Sequence, residues 1–169
     1  MKLLRIIVAT AGLALVLGAV NLSIREKQEV LANGQRVLLE LRPVDPRSLM
    51  QGDYMQLGYG ETSAPGAEIT AQMPPQGTVI LKLDENEVAT FSRIDDGTAL
   101  QEGEIRMQYK LRLERGSVRY GAESFFFQEG DAKLYEEAKY GVLRVDEEGA
   151  SVLVGLAGED RKLIEKPKG

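Results

Sequence analysis

The N-terminal segment is the feature that most constrains this chain, because it contains a long run without a charge. From Ile6 to Ile24 there are 19 consecutive uncharged residues, and only Thr10, Asn21 and Ser23 carry polar side chains. As a helix rising about 1.5 Å per residue, the run spans roughly 30 Å, the thickness of a bilayer's hydrocarbon core. A body this small can hardly surround a helix that is apolar on every side. The run is therefore predicted to lie in a membrane.

A cleavable signal peptide is the alternative to a permanent anchor, since Lys2 and Arg5 precede the apolar run. The nearest candidate cleavage site, Val16-Leu17-Gly18, lacks the Ala-x-Ala pattern. We favour an uncleaved signal anchor, and in either case we expect the body to cross the membrane. The short basic N-terminal flank predicts a single pass through the inner (cytoplasmic) membrane, with the N-terminus inside and the body on the periplasmic side.

The remaining composition excludes many kinds of chemistry. Residues 1–24 hold two basic and no acidic residues, which leaves 19 basic and 26 acidic residues and a formal charge of −7 on the rest. An acidic body argues against nucleic acid as a partner and against flat docking on anionic lipid. The chain has no histidine and no cysteine, so disulfides, Ser-His-Asp or Cys-His catalysis, and zinc, haem or iron–sulfur ligation by these residues are excluded. We predict no cofactor and no metal site.

Turn residues and alternating apolar residues predict a mainly β body. The clearest pattern is Ile105–Glu114, where apolar and polar residues alternate as in a half-buried antiparallel strand. Further strands are predicted at residues 35–42, 54–59, 79–83, 88–94, 118–120, 124–128, 142–145 and 151–156. Asp131 is predicted to cap one short helix that extends through Lys139. We expect an antiparallel β-barrel or sandwich of about nine strands, preceded by a transmembrane helix.

Four segments follow from this pattern. They are a signal anchor at 1–24, a juxtamembrane helical stalk at 25–34 that stops at Asn33-Gly34, a β domain at 35–157 and a charged, frayed tail at 158–169. Glu61–Gly77 contains three prolines and no sustained apolar period, so it is predicted to be the longest and most mobile loop.

One octapeptide, Gly52–Tyr59, is predicted to pass from a turn into a strand. Gly52 permits the backbone conformation that ends a short turn at Asp45–Met50. On the strand, Leu57 and Tyr59 are expected to pack on the core, and Asp53 shares their face. Tyr54 lies on the opposite face and is free to be exposed.

The same octapeptide carries a family resemblance. Gly52, Asp53, Tyr54, Leu57 and Tyr59 occupy all five defining positions of the motif after which the GDYXXLXY protein family is named. Segments 44–47, 126–130, 135–136 and 141–145 are also similar to that family. The resemblance implies a bacterial, membrane-anchored protein without an assigned activity. Because members are often encoded beside multi-pass membrane proteins, it also implies a multi-pass membrane protein as partner, and we expect a non-enzymatic interaction or accessory role.

The motif has two interpretations. It is either a turn-to-strand signature of the fold or a recognition site that uses Asp53 and Tyr54. We favour the first. If it is covered, the Asp53 carboxylate needs a partner, which Arg47, Arg42 or nearby backbone N–H groups can supply.

An enzymatic alternative is a Ser/Lys hydrolase of the signal-peptidase type. Ser48 precedes a Gly-Asp pair as in the nucleophile segment of that family, and Lys82 lies among apolar residues in a later strand. Ser48 is however followed by Leu49-Met50 rather than Met-x-Pro, and acidic residues after Lys82 favour a charged ammonium.

The remaining candidates are interpreted structurally. The acidic groups Asp95-Asp96, Glu136-Glu137 and 146–148 are taken as solvated surface, and the basic residues of the Ile105–Glu114 strand as its wet face. Phe125–Phe127 is read as mostly core, but three successive rings cannot all face one way, so one is expected to cap a loop or contact a partner.

Overall fold

The computed structural model describes residues 2–42, 54–60, 62–112, 117–121, 124–128 and 130–165. Within these ranges a long N-terminal helix precedes nine strands and two short helices, so the predicted fold class is confirmed. Ser48, Gly52, Asp53 and the turn predicted at 45–50 lie outside the described residues.

The first helix, α1, runs from Lys2 to Asn33 and so includes both the predicted anchor and the predicted stalk. Residues Arg5–Asn33 are long and apolar enough to cross a membrane, and none of the most apolar part is buried inside the protein. Because exposing so much apolar surface to water is unfavourable, α1 can anchor the chain in a membrane.

A small buried contact connects α1 to the β body. Val30 is only 5% exposed, and the Gly34 N–H donates a hydrogen bond to the Val30 carbonyl at 2.9 Å. The Arg144 guanidinium donates to the Gly34 carbonyl at 2.9 Å. The helix therefore passes directly into the first strand.

The strands, in chain order, are β1 (Gln35–Glu40), β2 (Tyr54–Gln56), β3 (Gln76–Leu83), β4 (Ala89–Ile94), β5 (Glu104–Arg112), β6 (Ser117–Tyr120), β7 (Ser124–Phe126), β8 (Tyr140–Val145) and β9 (Ser151–Ala157). The short helices are α2 (Ala67–Thr70) and α3 (Ala132–Tyr135). The strands form three antiparallel sheets with the orders β1-β8-β9, β2-β7 and β4-β3-β5-β6. The hairpins predicted for β3–β4 and β8–β9 are confirmed by their register.

Backbone hydrogen bonds join the three-stranded and four-stranded sheets into a half-barrel. The Leu38 N–H of β1 donates to the Glu87 carbonyl, just before β4, at 2.9 Å. The Gln108 N–H of β5 donates to the Gly149 carbonyl, in the turn between β8 and β9, at 2.9 Å. Side chains from both sheets fill the space between them. Core members without exposed surface are Val37, Leu39, Val79, Leu81, Ala89, Met107, Tyr120 and Leu143.

The predicted loop at 61–77 is wrong in part, because it contains α2 and is held against the body. Ser63 is 0% exposed and Thr70 is 6% exposed. The Thr70 hydroxyl lies 3.1 Å from the Pro65 carbonyl and 3.0 Å from the Gly66 carbonyl, so burial leaves it hydrogen-bonded. The Phe91 N–H of β4 donates to the Thr62 carbonyl at 2.8 Å. Long-range contacts of this kind leave no periodic pattern in the sequence.

The helix predicted from Asp131 to Lys139 is shorter than expected. Helix α3 ends at Tyr135, and the Asp131 side chain makes no capping hydrogen bond. By Lys139 the chain has already turned, and the Lys139 N–H donates to the Ala157 carbonyl at 2.9 Å. Pairing with β9 thus replaces the last helical turn.

The prediction of a frayed C-terminal tail is wrong for residues 158–165. Leu163 forms an antiparallel bridge with Ala157, and the Ile164 N–H donates to the Leu156 carbonyl at 2.8 Å. The Arg36 guanidinium also donates to the Arg161 carbonyl at 2.7 Å. The charged composition of residues 158–165 predicts a free tail, whereas this segment folds back along β9.

Candidate interaction surface

The described part of the octapeptide forms a two-stranded ribbon with the phenylalanine segment. Strand β2 pairs with β7 so that Tyr54 faces Phe126 and Met55 faces Phe125. The regular strand ends at Gln56, three residues earlier than predicted, and Tyr59 then bridges Leu41 beyond the end of β1. The β2–β7 ribbon is therefore attached to the β1-β8-β9 sheet through the bridge between Tyr59 and Leu41.

Alternation along the octapeptide places its described side chains, Tyr54, Met55, Leu57 and Tyr59, as predicted. Met55 is 2% exposed and Tyr59 is 5% exposed, while the half-buried Leu57 packs against the same core. Tyr54 faces the other way and is half-buried rather than fully exposed. Leu57 and Tyr59 thus have core roles, and among the described motif residues Tyr54 is the one near the surface.

Tyr59 is held in the core by a network of two tyrosines. Its hydroxyl donates to the Tyr120 carbonyl at 2.7 Å, and the two rings lie 5.5 Å apart between centroids. The Tyr120 hydroxyl donates to the Ser63 carbonyl at 2.8 Å. Burial raises the pKa of both hydroxyls well above 10.0, so both remain protonated donors at neutral pH. No local pattern predicts that Tyr120 is the partner of Tyr59, because 61 residues separate them.

An exposed aromatic surface, formed by Tyr54 and Phe126, lies on the outer side of the ribbon. The Phe126 side chain is 74% exposed, and its ring centroid is 5.8 Å from that of Tyr54 at a tilt of 40°. Single exposed apolar side chains are common on protein surfaces, but here two neighbouring rings form one continuous apolar patch, which makes the pair a candidate contact site.

The other two phenylalanines of this segment point away from the aromatic surface. Phe125 and Phe127 pack against Tyr135 of α3, with ring centroids 4.9 and 5.6 Å from it. The three rings therefore do not all face one way, as predicted, and Phe126 is the ring that points outward. That this ring contacts a partner stays a prediction.

Of the two residues predicted for a Ser/Lys hydrolase, Ser48 and Lys82, only Lys82 is among the described residues. Lys82 lies on β3 with its side chain exposed, whereas a lysine that acts as a general base needs an apolar, desolvated site. Ser48 lies outside the described residues. A Ser/Lys hydrolase therefore remains a prediction. A peptidase activity of the chain that is lost in Ser48→Ala would support it.

The carboxylate pairs do not form a metal site within the described residues, where no group of three potential ligands is found. Instead, Asp95 and Asp96 form ion pairs with Arg106 and Arg93. The Arg93 guanidinium lies 3.0 Å from Glu104 and 2.9 Å from Asp96, and Arg106 lies 3.3 Å from Asp95. The Arg93 hydrogen bond holds the pKa of Glu104 below its ordinary 4.5.

We expect Arg93→Gln to lower the melting temperature near neutral pH and to have little effect in strong acid. Because the pKa of Glu104 is lowered in the folded state, its stabilising contribution is present above about pH 4.5 and is lost as the pH falls through the folded value. Melting curves of both proteins between neutral and strongly acidic pH test this. Lys133→Gln, which removes an exposed charge, is the control. If the difference in melting temperature between the two proteins did not change with pH, Arg93 would stabilise the fold through packing and not through its ion pair with Glu104.

Comparison with known proteins agrees with the motif. A family model described as GDYXXLXY protein matches residues 16–156, which is most of the chain. The match extends from within α1 to within β9, so it includes part of the apolar helix together with the β body. No curated protein and no solved structure gives a significant match.

Proposed function

The chain belongs to the GDYXXLXY family, and from this premise we propose that it is a non-enzymatic accessory subunit that binds a multi-pass membrane protein. Helix α1 anchors it in the inner membrane with its N-terminus in the cytoplasm, and the β body lies in the periplasm. The observation that carries the proposal is the aromatic surface, where Phe126 stands 74% exposed beside the motif residue Tyr54.

The orientation follows from the charges that flank the apolar run. Lys2, Arg5 and the terminal amine precede it, and Arg25 and Lys27 follow it. The N-terminal flank is short and carries the larger positive charge, which favours its retention in the cytoplasm. The acidic body then lies on the other side of the membrane.

The place of the aromatic surface in the fold indicates what kind of partner can reach it. Helix α1 joins the body at Gly34, and the ribbon is attached at the other end of β1, through the Leu41–Tyr59 bridge. At about 3.3 Å per residue, β1 separates these two places by roughly 20 Å. A partner that contacts Phe126 therefore needs a periplasmic loop or domain, which a multi-pass membrane protein can provide.

The chemistry of the surface is that of an interface centre. Aromatic side chains dominate binding energies because they bury much apolar area and lose few rotamers. Tyr54 adds a hydroxyl at the edge of the apolar patch, and no hydrogen bond engages it within the described chain. The surface thus suits a partner with an apolar side chain and a nearby polar group.

We expect Phe126→Ser to abolish capture of the partner when the tagged full chain is purified from solubilised membranes. Losing an aromatic interface residue lowers affinity by roughly tenfold or more. Because Phe126 is exposed, the variant should keep its melting temperature within about 2 °C. Quantitative mass spectrometry of the captured proteins measures the loss.

Ile69→Ser is the matched control, because Ile69 is 40% exposed on α2 and also loses an apolar side chain. The control should capture the same integral membrane protein as the unmodified chain. Equal capture by both variants would exclude the aromatic surface as the interface. Failure of the unmodified chain to capture any integral membrane protein reproducibly would overturn the accessory function itself.

A further inference from the structure

A groove beside the stalk end of α1 has an unusual charge for this chain. It has a volume of about 580 Å³ and is lined by Lys27 of α1, Lys110 of β5 and Arg119 of β6. No Asp or Glu is among the described residues that line it. The chain as a whole carries a net charge of −5, so a groove whose described lining holds three basic and no acidic residues is a local exception. We refer to this feature as the cationic groove.

The position of Lys27 brings the cationic groove close to the membrane surface. Lys27 is the third residue after Ile24, where the apolar run ends, which corresponds to about 4.5 Å along the helix axis. The polar headgroup layer on each side of a bilayer is roughly 5–7 Å thick. With α1 in the membrane, the Lys27 side of the groove therefore lies at the depth of the lipid headgroups.

We propose that the cationic groove binds the phosphate of an anionic phospholipid headgroup from the leaflet that faces the body. Lysine and arginine are the side chains that bind phosphate groups, the first as a point charge and the second through a planar fork. Thr78 and Ser151 also line the groove and bring hydroxyl donors for further phosphate oxygens. The volume lies within the range of small-ligand sites and accommodates a headgroup.

A neighbouring cleft explains why a single headgroup is bound although the body is acidic. This cleft has a volume of about 1010 Å³, shares Lys27 and Ala150 with the cationic groove, and is lined by six acidic residues. Those six are Glu26, Glu29, Glu104, Asp146, Glu147 and Glu148. An anion is repelled from the cleft and attracted to the groove, since charges within about 8 Å interact at physiological salt. The acidic cleft therefore disfavours flat binding of the body on anionic lipid and leaves the cationic groove, among the described residues, as the place of contact.

The test uses the full-length chain in zwitterionic detergent micelles, titrated with phosphatidylglycerol, with bound lipid measured by native mass spectrometry. We expect phosphatidylglycerol to bind more tightly than phosphatidylcholine. Each basic residue near an anionic lipid contributes roughly a fivefold factor in affinity, so Lys27→Gln with Lys110→Gln should weaken binding about 30-fold. Neither lysine makes an ion pair within the described part of the chain, so both can be replaced without loss of folding.

Lys133→Gln with Lys162→Gln is the matched control, because it removes two exposed lysines away from the groove and should leave lipid affinity within twofold. Equal weakening by both pairs would overturn the proposal in favour of a general charge effect. Inorganic phosphate that binds as tightly as the lipid, with the same dependence on Lys27 and Lys110, would overturn the headgroup in favour of a soluble phosphate ligand.

The proposal rests on the anchoring part of the proposed function, and the two can fail separately. Retention of the chain in membranes after an alkaline wash reports anchoring alone. A chain that is retained but does not prefer phosphatidylglycerol overturns the headgroup site and leaves the anchor in place. A chain that is released by the wash overturns both.

Discussion

Tyr59→Ala should lower the free energy of unfolding by about 3–5 kcal/mol, which is the usual cost of truncating a buried aromatic side chain. Tyr59 is 5% exposed, and its ring packs 5.5 Å from that of Tyr120. The substitution also leaves the Tyr120 carbonyl without the hydroxyl that donates to it. For a single domain stable by about 5–15 kcal/mol, this is a large fraction of the total.

Two tyrosine-to-phenylalanine changes separate the contribution of the Tyr59 hydrogen bond to stability from the contribution of its ring packing. Tyr59→Phe keeps the aromatic packing and should cost about 1–3 kcal/mol, because it leaves a buried acceptor unsatisfied. Tyr54→Phe makes the same chemical change in the same motif and should stay within about 0.5 kcal/mol, since the Tyr54 hydroxyl makes no hydrogen bond within the described chain. Chemical denaturation in detergent, followed by circular dichroism, measures all three variants.

The result distinguishes the two interpretations of the motif. A large effect at Tyr59 and none at Tyr54 supports a structural role for the last tyrosine and leaves Tyr54 for recognition. If Tyr59→Phe and Tyr54→Phe have equal, small effects, the hydrogen bond from Tyr59 to the Tyr120 carbonyl does not stabilise the fold. If Tyr59→Ala is also nearly neutral, the conclusion that Tyr59 acts as a structural residue is wrong.

Gly149→Ala should lower the free energy of unfolding by about 2–4 kcal/mol, for two reasons that add. Gly149 has a φ of +85°, which an L side chain rarely adopts. A Cβ there would also lie 3.0 Å from the Arg106 carbonyl carbon and 3.0 Å from the Met107 nitrogen, which are backbone atoms of β5. Backbone atoms inside a sheet cannot move aside as a flexible side chain can.

Gly97→Ala provides a control for the strained backbone alone. Gly97 has a φ of +81°, and a Cβ there would meet no atom within 4 Å. We expect it to cost about 1–2 kcal/mol, so the difference between the two variants measures the close approach of the β8–β9 turn to β5. Thermal and chemical unfolding of both variants give this difference. Equal costs would mean that the turn can withdraw, and the contact through which Gln108 binds the Gly149 carbonyl would not close the half-barrel.

The elements that could be predicted are those whose signal is local. Along β5, Ile105, Met107 and Tyr109 are buried while Gln108 and Lys110 are exposed, as the alternation in the sequence predicts. Helix α1 ends at Asn33, where Asn-Gly gives an ordinary stop signal. Each of these signals depends on a few neighbouring residues, and tertiary contacts reinforce them.

The errors occur where distant contacts stabilise a segment without a pattern of its own. Helix α2 and the fold-back of residues 158–165 have polar or proline-rich sequences that resemble loops and tails. Their order depends on contacts such as Phe91 with Thr62 and Ile164 with Leu156. Local propensity contains no information about such partners.

The two candidate sites differ in how far the sequence predicts them. The residues of the octapeptide are enough to identify the motif, and the separation of Tyr54 from Leu57 and Tyr59 follows from strand alternation. The cationic groove could not be predicted, because Lys27, Lys110 and Arg119 are far apart in the chain and each one looks like ordinary solvated surface.

The sequence by itself determined the apolar helix, the alternating strands, the acidic charge of the body and the chemistry excluded by the absence of histidine and cysteine. Only the tertiary structure decided that Phe126 is the exposed ring, that Tyr120 holds Tyr59, and that three cations share one groove. The physical reason is that periodicity and composition depend on neighbouring residues. Strand register and sheet closure, by contrast, depend on pairing between residues that are distant in the chain.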